Sequence, residues 1–354
     1  MEKGKEYHCE ELNSTSASDW RRLVEKNAQG GFYHTLKWKE VIERFRGKTS
    51  YFLVYRDGEV AALCPFYQSR EVKGPLSMGV LNTVENIIVR YPDDTSVVRQ
   101  IALKCKELMN NERLSLTNIY LLPGENDCFR SMNLLPRPRS GASAGNMTLD
   151  LREYSPQGIW NSLSRNDRRR IRLLERDGWV VNEATSRDEL SLFYSHHKAN
   201  LEYLQAKCED FRYFEYLMQT FMTPSSREML LLLLRKNETV AGGLVIFLFD
   251  AKRAMYIAYA SLNRQMPNRY RPVPALVWNA IKKASEMGYT TVAFGGTPAN
   301  PNDIHYRIKE KFGGHFELKY AVPFFKSRAL NSALTSLTYI FRFVKINRER
   351  LNLK

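Results

Sequence analysis

The chain has 354 residues, 44% of them hydrophobic and 12% aromatic, which gives room for two ordinary domains and excludes a disordered polymer. Its 53 Lys and Arg against 38 Asp and Glu leave a net charge of +15, a surplus that attracts RNA, anionic lipid headgroups or phosphorylated substrates. Five scattered cysteines (Cys9, Cys64, Cys105, Cys128, Cys208) form no C-x-x-C pair, which argues against a disulfide framework and against a zinc site.

The first twenty residues are polar, so no secretory leader is expected. The longest apolar runs, Met229–Leu234 and Thr239–Phe249, fall short of the ~20 residues a membrane-spanning helix needs. The expectation is a cytoplasmic protein, with peripheral contact at the inner face of an anionic membrane as an added reading.

One order of elements occurs twice. Tyr51–Tyr55, the turn Arg56-Asp57-Gly58-Glu59 and Val60–Tyr67 read as a hairpin, followed by a basic helix over Val97–Met109 and a strand over Leu116–Leu122. In the second half Met229–Leu234, the turn 235–238 and Thr239–Phe249 repeat the hairpin, and a helix over Ala275–Met287 and a strand over Thr291–Phe294 follow. Aromatic helical segments precede both hairpins, Trp38–Ile42 in one copy and Phe211–Phe221 in the other. The fold class expected is α/β (α+β): two mixed-sheet domains of one kind flanked by helices.

The Pro-, Gly- and Ser-rich stretch 135–145 reads as the connection, and a strand over Met147–Leu151 opens the second half. The domains expected are therefore 1–145 and 146–325. After them, Leu330, Leu334, Leu337, Ile340, Phe341 and Val344 recur at helical spacing, so 326–354 reads as a basic amphipathic helix packed on the protein or on a membrane surface.

Signatures of P-loop, dinucleotide, zincin and serine-hydrolase chemistry are all missing from the sequence. His196 and His197 adjoin on a helix and point different ways, so metal ligation is not expected. The densest signal is Leu163–Val181, where Arg165, Arg168, Arg169, Arg170 and Arg172 crowd about two helical turns. Like charges this close repel, which an anionic partner or simple solvation would relieve.

This arginine helix, ending at Gly178-Trp179, resembles the Arg-Arg-x-Ile-Arg-x-Ala-Glu-x-x-Gly stretch of Fem-type transferases, in which two GNAT-like domains stand in tandem. Other pieces agree in order. Gly31–Trp38 resembles the family's Phe-x-Gln-Ser-x-x-Trp, with His34 and Thr35 in place of Gln and Ser. Met255–Ser261 resembles its tyrosine-containing central strand, and Val292–Gly296 its strand and glycine turn. Ile308–Gly313 resembles its Phe-Lys-x-x-Phe-Gly. The likeness runs over residues 30–325. Two features depart from it: no coiled-coil arm is present, and Asn268–Pro274 replaces the Gly-rich pyrophosphate loop of ordinary GNAT enzymes, with Pro272 and Pro274 removing two N–H donors.

The resemblance implies an acyltransferase that moves an acyl or aminoacyl group from acyl-CoA or aminoacyl-tRNA to an amine on a nucleotide- or lipid-linked envelope or polysaccharide precursor. It implies no permanently bound cofactor or metal, and no DNA partner. His34, Trp38, Arg168, Arg169 and Arg172 would face the acceptor's phosphates. Arg269, Arg271, Gly295, Gly296 and Lys309 would take the donor, with Lys309 touching it, while Tyr256 and Tyr259 on a splayed strand 254–261 would line the channel. His305, Glu310, Tyr256 and Tyr259 are the catalytic candidates, and the base stays unassigned. The rival reading is a non-catalytic protein of the same fold that docks RNA or an anionic membrane.

Overall fold

The computed structural model describes residues 5–73, 76–121, 144–267 and 269–325. Cys128, most of the 135–145 connection and the tail helix expected over 326–354 lie outside the described residues. In chain order the elements are β1 Tyr7–Glu11, α1 Ala17–Lys26, a single 3₁₀ turn Phe32–His34, α2 Leu36–Phe45, β2 Thr49–Arg56, β3 Glu59–Lys73, β4 Leu76–Asn86, β5 Ile88–Val89, α3 Thr95–Asn111 and β6 Leu116–Leu121. The second half continues with β7 Ala144–Asp150, α4 Pro156–Ser162, α5 Arg165–Arg176, β8 Val180–Ala184, α6 Arg187–Tyr203 and α7 Phe211–Phe221. A short ribbon, β9 Met222–Thr223 with β10 Ser226–Arg227, then leads to β11 Met229–Lys236, β12 Thr239–Phe249 and β13 Ala254–Leu262. Last come α8 Pro272–Glu286, β14 Thr291–Pro298, α9 Ile304–Glu310 and β15 His315–Phe325.

The described residues form two compact units, one within 5–23, 46–121 and 320–325, the other within 24–45 and 144–319. The first holds the strands β1-β2-β3-β4-β6, with residues 320–325 of β15 beside β6. All neighbours are antiparallel except β4 and β6, which the α3 crossover joins in parallel. Val97, Ile101, Cys105, Leu108 and Met109 of α3 recur at helical spacing and bury against Phe52, Phe66, Leu81 and Ile119 of the sheet.

The second unit holds residues 315–319 of β15, then β7-β14-β13-β12-β11-β8, with β13 and β14 the one parallel pair. Successive residues of a strand point to opposite faces. On one face Leu244, Ile246, Leu248 and Met255 pack with Ile171 and Leu174 of α5 and with Leu276, Ala280 and Ile281 of α8. On the other, Phe247 stacks on Phe32 at 4.5 Å and meets Phe221 of α7 at 5.6 Å and Trp38 of α2 at 5.4 Å.

Mixed α/β domains with the repeated order hairpin, strand, helix, parallel strand are thus what the chain forms. Residues 24–45 depart from the expected partition. They lie in the second unit because Phe32, Trp38 and Phe45 find their aromatic partners there, Phe45 edge-on to Tyr213 at 5.1 Å. His34 and Trp38 are therefore not first-domain groups.

Candidate functional site

β13 and β14 pair in parallel over only three residues, Ala254↔Thr291, Met255↔Val292 and Tyr256↔Ala293. Beyond Tyr256, β13 continues with β12 up to Gly242↔Leu262, while β14 continues with β7 up to Pro298↔Ala144. Residues 257–262 and 294–298 consequently face a gap where two parallel strands splay at their carboxyl ends. The first unit's parallel pair stays joined instead, regaining pairing at Asn86↔Tyr120 after its register shift.

Each lip of the gap carries a bulge, which strengthens local twist and turns a strand away from its neighbour. On β13, Val245↔Tyr259 follows Ile246↔Ile257, leaving Ala258 as the extra residue. On β14, Phe294 and Gly295 stand opposite Met147 alone, and Gly295 takes φ +74, a left-handed value that glycine adopts without steric cost. Strict alternation would put Tyr256 and Tyr259 on opposite faces. The bulge at Ala258 brings both to the side of Phe247 and Val245.

The hydrogen-bond phase shows which backbone groups the gap exposes. Thr291 N donates to Arg253 O at 3.1 Å, so odd-numbered residues at the start of β13 turn their polar groups toward β14. At the far end Asn263 N donates to Ala241 O at 3.0 Å, so 263 and 261 turn theirs toward β12. Between these limits Ala260 and Leu262 direct N–H and C=O outward, into the gap. These are fixed donors of the kind that meet a developing oxyanion.

On the aromatic side, the Tyr256 hydroxyl lies against Gly31, where a Cβ would sit 2.7 Å from it. Burial pushes the Tyr256 phenol up to about 12, a hydrogen bond from the Phe32 backbone opposing. Burial also raises the Tyr33 phenol, helped by the neighbouring Tyr259 and Tyr256 hydroxyls. The Tyr259 and Tyr213 hydroxyls are 2.8 Å apart. His197, one of the adjoining pair that sequence set aside as metal ligands, is 6% exposed and places Nδ1 2.8 Å from Ala260 O. Its signal was present but bland: Leu190, Phe193 and His197 form one buried stripe on α6.

On the opposite side, α8 begins past the carboxyl end of β13, where ligands of open α/β sheets gather. Arg271 is its N-cap, makes no cap hydrogen bond and is exposed. Val273 and Ala275 keep N–H groups in the first turn, between and after the two prolines. Arg269 lies over the Tyr270 ring at 4.8 Å, and Tyr270 donates to Asp177 Oδ2 at 2.9 Å. Lys309 Nζ spans the other lip, donating to Gly295 O at 3.2 Å, Gly296 O at 2.6 Å and Thr297 Oγ1 at 2.9 Å. Burial lowers its ammonium to about 8. Lys309 holds the lip by these bonds, which differs from the direct donor contact expected of it.

The fold thus gathers Tyr256, Tyr259, Gly295, Gly296 and Lys309 around the gap, with Arg269 and Arg271 just ahead of the helix that follows β13. It does not gather the rest. His34, 1% exposed, accepts from Gly31 N at 3.2 Å through Nδ1, and Trp38 is 6% exposed, so both are core groups. Arg168, Arg169 and Arg172 ride on α5, across the sheet from His34 and Trp38, so one acceptor cannot meet both sets there. Arg168 donates to Asn161 O at 2.6 Å, closing the end of α4, and Arg172 lies over Trp160 at 5.4 Å. Arg169 is exposed and makes no ion pair among the described residues. His305 and Glu310 are exposed on α9. A cavity of about 770 Å³ in the first unit is lined by Arg46, Lys48, Arg70, Glu112 and Arg113.

Residues 161–307 match the family described as acetyltransferase (GNAT) domain. No curated protein sequence matches the chain. Among solved structures, FemX superposes with TM-score 0.65 at 16% identity, covering 88% of this chain and 97% of its own. A tandem GNAT protein from the clavulanic acid biosynthesis pathway gives 0.60 at 9% identity, with 91% and 99% covered. The C-terminal domain of a putative lysylphosphatidylglycerol synthetase from Agrobacterium fabrum gives 0.55 at 13% identity, with 92% and 97% covered. The fold is thus that of tandem GNAT proteins, and the stretch that matches the acetyltransferase (GNAT) domain family lies in its second unit.

Proposed function

We propose that the chain transfers an acyl or aminoacyl group to an amine on a nucleotide- or lipid-linked envelope or polysaccharide precursor. One observation carries this reading: the gap between β13 and β14, with outward N–H groups on one lip and the start of α8 at its mouth. A donor whose phosphates lie at the α8 N-terminus, near Arg271, would thread its activated carbonyl into the gap. The amine would then meet that carbonyl from the side of Tyr256 and Tyr259. Holding both in line supplies most of what amide formation needs, since proximity and fixed donors lower the barrier without a covalent intermediate.

Acyl-CoA and aminoacyl-tRNA both present a phosphate-bearing tail and an activated carbonyl. Pro272 and Pro274 leave fewer N–H groups for a pyrophosphate, which favours a donor held by side chains, Arg269 and Arg271 among them. The surplus of positive charge suits tRNA or an anionic lipid acceptor, and one structural relative is named for lysylphosphatidylglycerol synthesis. No helix among the described residues is long and apolar enough to cross a membrane, so contact with a lipid-linked acceptor would be peripheral.

Mass spectrometry of envelope precursors and polysaccharides from cells with and without the protein tests the reading. A mass difference of one acyl or aminoacyl unit is the expected result. Identical profiles in cells expressing the protein would favour docking of RNA or membrane without catalysis.

A further inference from the structure

We propose that His197 is the group that takes the proton of the attacking amine, a role that rests on the acyl-transfer reading above. Ala260 lies on the free lip of β13, and its carbonyl points into the gap. A carbonyl can only accept, so the contact at 2.8 Å fixes the proton on His197 Nδ1 and leaves a lone pair on Nε2. Nε2 has no hydrogen-bond partner among the described residues, yet it is not among the polar atoms sealed from solvent. A ring that is 6% exposed therefore keeps one basic nitrogen open beside the gap.

The surroundings hold the imidazole neutral and in place. It stacks on Phe193 at 5.6 Å and meets the edges of Phe214 at 5.3 Å and Tyr259 at 5.9 Å. The titratable and charged groups around it are His196 and Lys198 on α6, Tyr213 on α7, Tyr259 on β13 and Arg264 just past it, which donates to Asn200 at 3.2 Å. None is a carboxylate that would stabilise an imidazolium. Burial lowers the His197 imidazole, its bond to Ala260 opposing.

The amine lone pair forms the C–N bond as the carbonyl π pair moves onto oxygen. Nε2 takes a proton from the nitrogen. Collapse of the tetrahedral species breaks the C–S bond of a thioester donor, or the C–O bond of an ester, and the imidazolium returns the proton to the departing thiolate or alkoxide. His305 and Glu310, exposed on α9, show no such fixed tautomer.

Nitrogen-15 NMR of the full chain labelled at histidine, read against His197→Asn to assign the signal, tests the tautomer without any substrate. The expected spectrum shows a neutral ring with Nδ1 protonated at pH 7, titrating below the ordinary histidine range. A protonated Nε2 in the neutral ring, or an imidazolium at pH 7, overturns the proposal. Diethylpyrocarbonate should modify His197 at Nε2; a His197 that stays unmodified while His305 reacts also overturns it. With acetyl-CoA and hydroxylamine as probes, His197→Asn keeps a donor to Ala260 and should leave the acetyl-CoA KM unchanged. It should lower kcat by about 10²–10⁴-fold and abolish the acid limb of the rate profile. An unchanged kcat and acid limb overturn the base role. If the wild-type protein turns over neither probe, the acyl-CoA donor fails, while the NMR and modification results still decide the state of His197.

Discussion

Replacing Lys309 by Met removes an ammonium while keeping a stem of similar reach. Three acceptors, Gly295 O, Gly296 O and Thr297 Oγ1, then lose their donor at 2.6–3.2 Å. Hydrogen bonds to a charged group contribute about 1.5–3 kcal/mol each in favourable cases. Here one ammonium serves all three and water can replace part of it, so the net loss should be about 2–3 kcal/mol. In a unit of this size that lowers Tm by roughly 4–12 °C. The bulge at Gly295 should also loosen, because its left-handed turn is held from outside by this lysine. Urea unfolding measures the first effect, and hydrogen exchange at 294–298 the second, with faster exchange expected there than in β12. Turnover should fall by about 10–100-fold, the cost of a lip misplaced by about an ångström. Wild-type stability together with wild-type exchange at 294–298 would refute the claim that Lys309 holds the lip.

Trp38→Ala should destabilise the second unit by about 3–5 kcal/mol, as a large buried ring in an aromatic cluster does, and show as a lower urea midpoint. A variant of native stability with a raised acceptor KM would restore Trp38 to the binding role expected from sequence. Arg169→Ala should leave stability within about 0.5 kcal/mol, whereas Arg168→Ala, which uncaps α4, should cost about 1 kcal/mol by the same assay. Equal midpoints for the two would contradict that distinction. Acid should weaken the fold partly through His197. Its folded pKa lies below the unfolded one near 6.5, so the unfolded chain binds the proton first. Its contribution is complete above pH 6.5 and is lost as pH falls through the folded value. His197→Asn should flatten stability against pH in that window.

Local signals carried much of the fold. Both hairpins, the helices α3, α5, α7 and α8, and the strands β6, β7 and β14 are legible from apolar runs, turn residues and helical spacing, whereas β13 came only with the family resemblance. The helical segment at Trp38–Ile42 was legible too, but not the unit that residues 24–45 join, which is set by where Phe32, Trp38 and Phe45 find partners far along the chain. Short edge strands such as β1 and β8 bury few side chains and leave little pattern. A splayed strand over 254–261 was implied only by the family resemblance. The chemistry of the gap was less legible still, since a single extra residue, Ala258, decides which face Tyr259 takes and which way the Ala260 carbonyl points. Alternation in the sequence cannot reveal a bulge, and without it His197 has no visible partner.

Hydrogen exchange of the full chain with acetyl-CoA, and separately with aminoacylated tRNA, tests most directly whether the gap takes the acyl donor. One of the two should slow exchange at 257–262, 269–277 and 294–298 together. Protection confined to the first unit or to α5, or none with either donor, would contradict it.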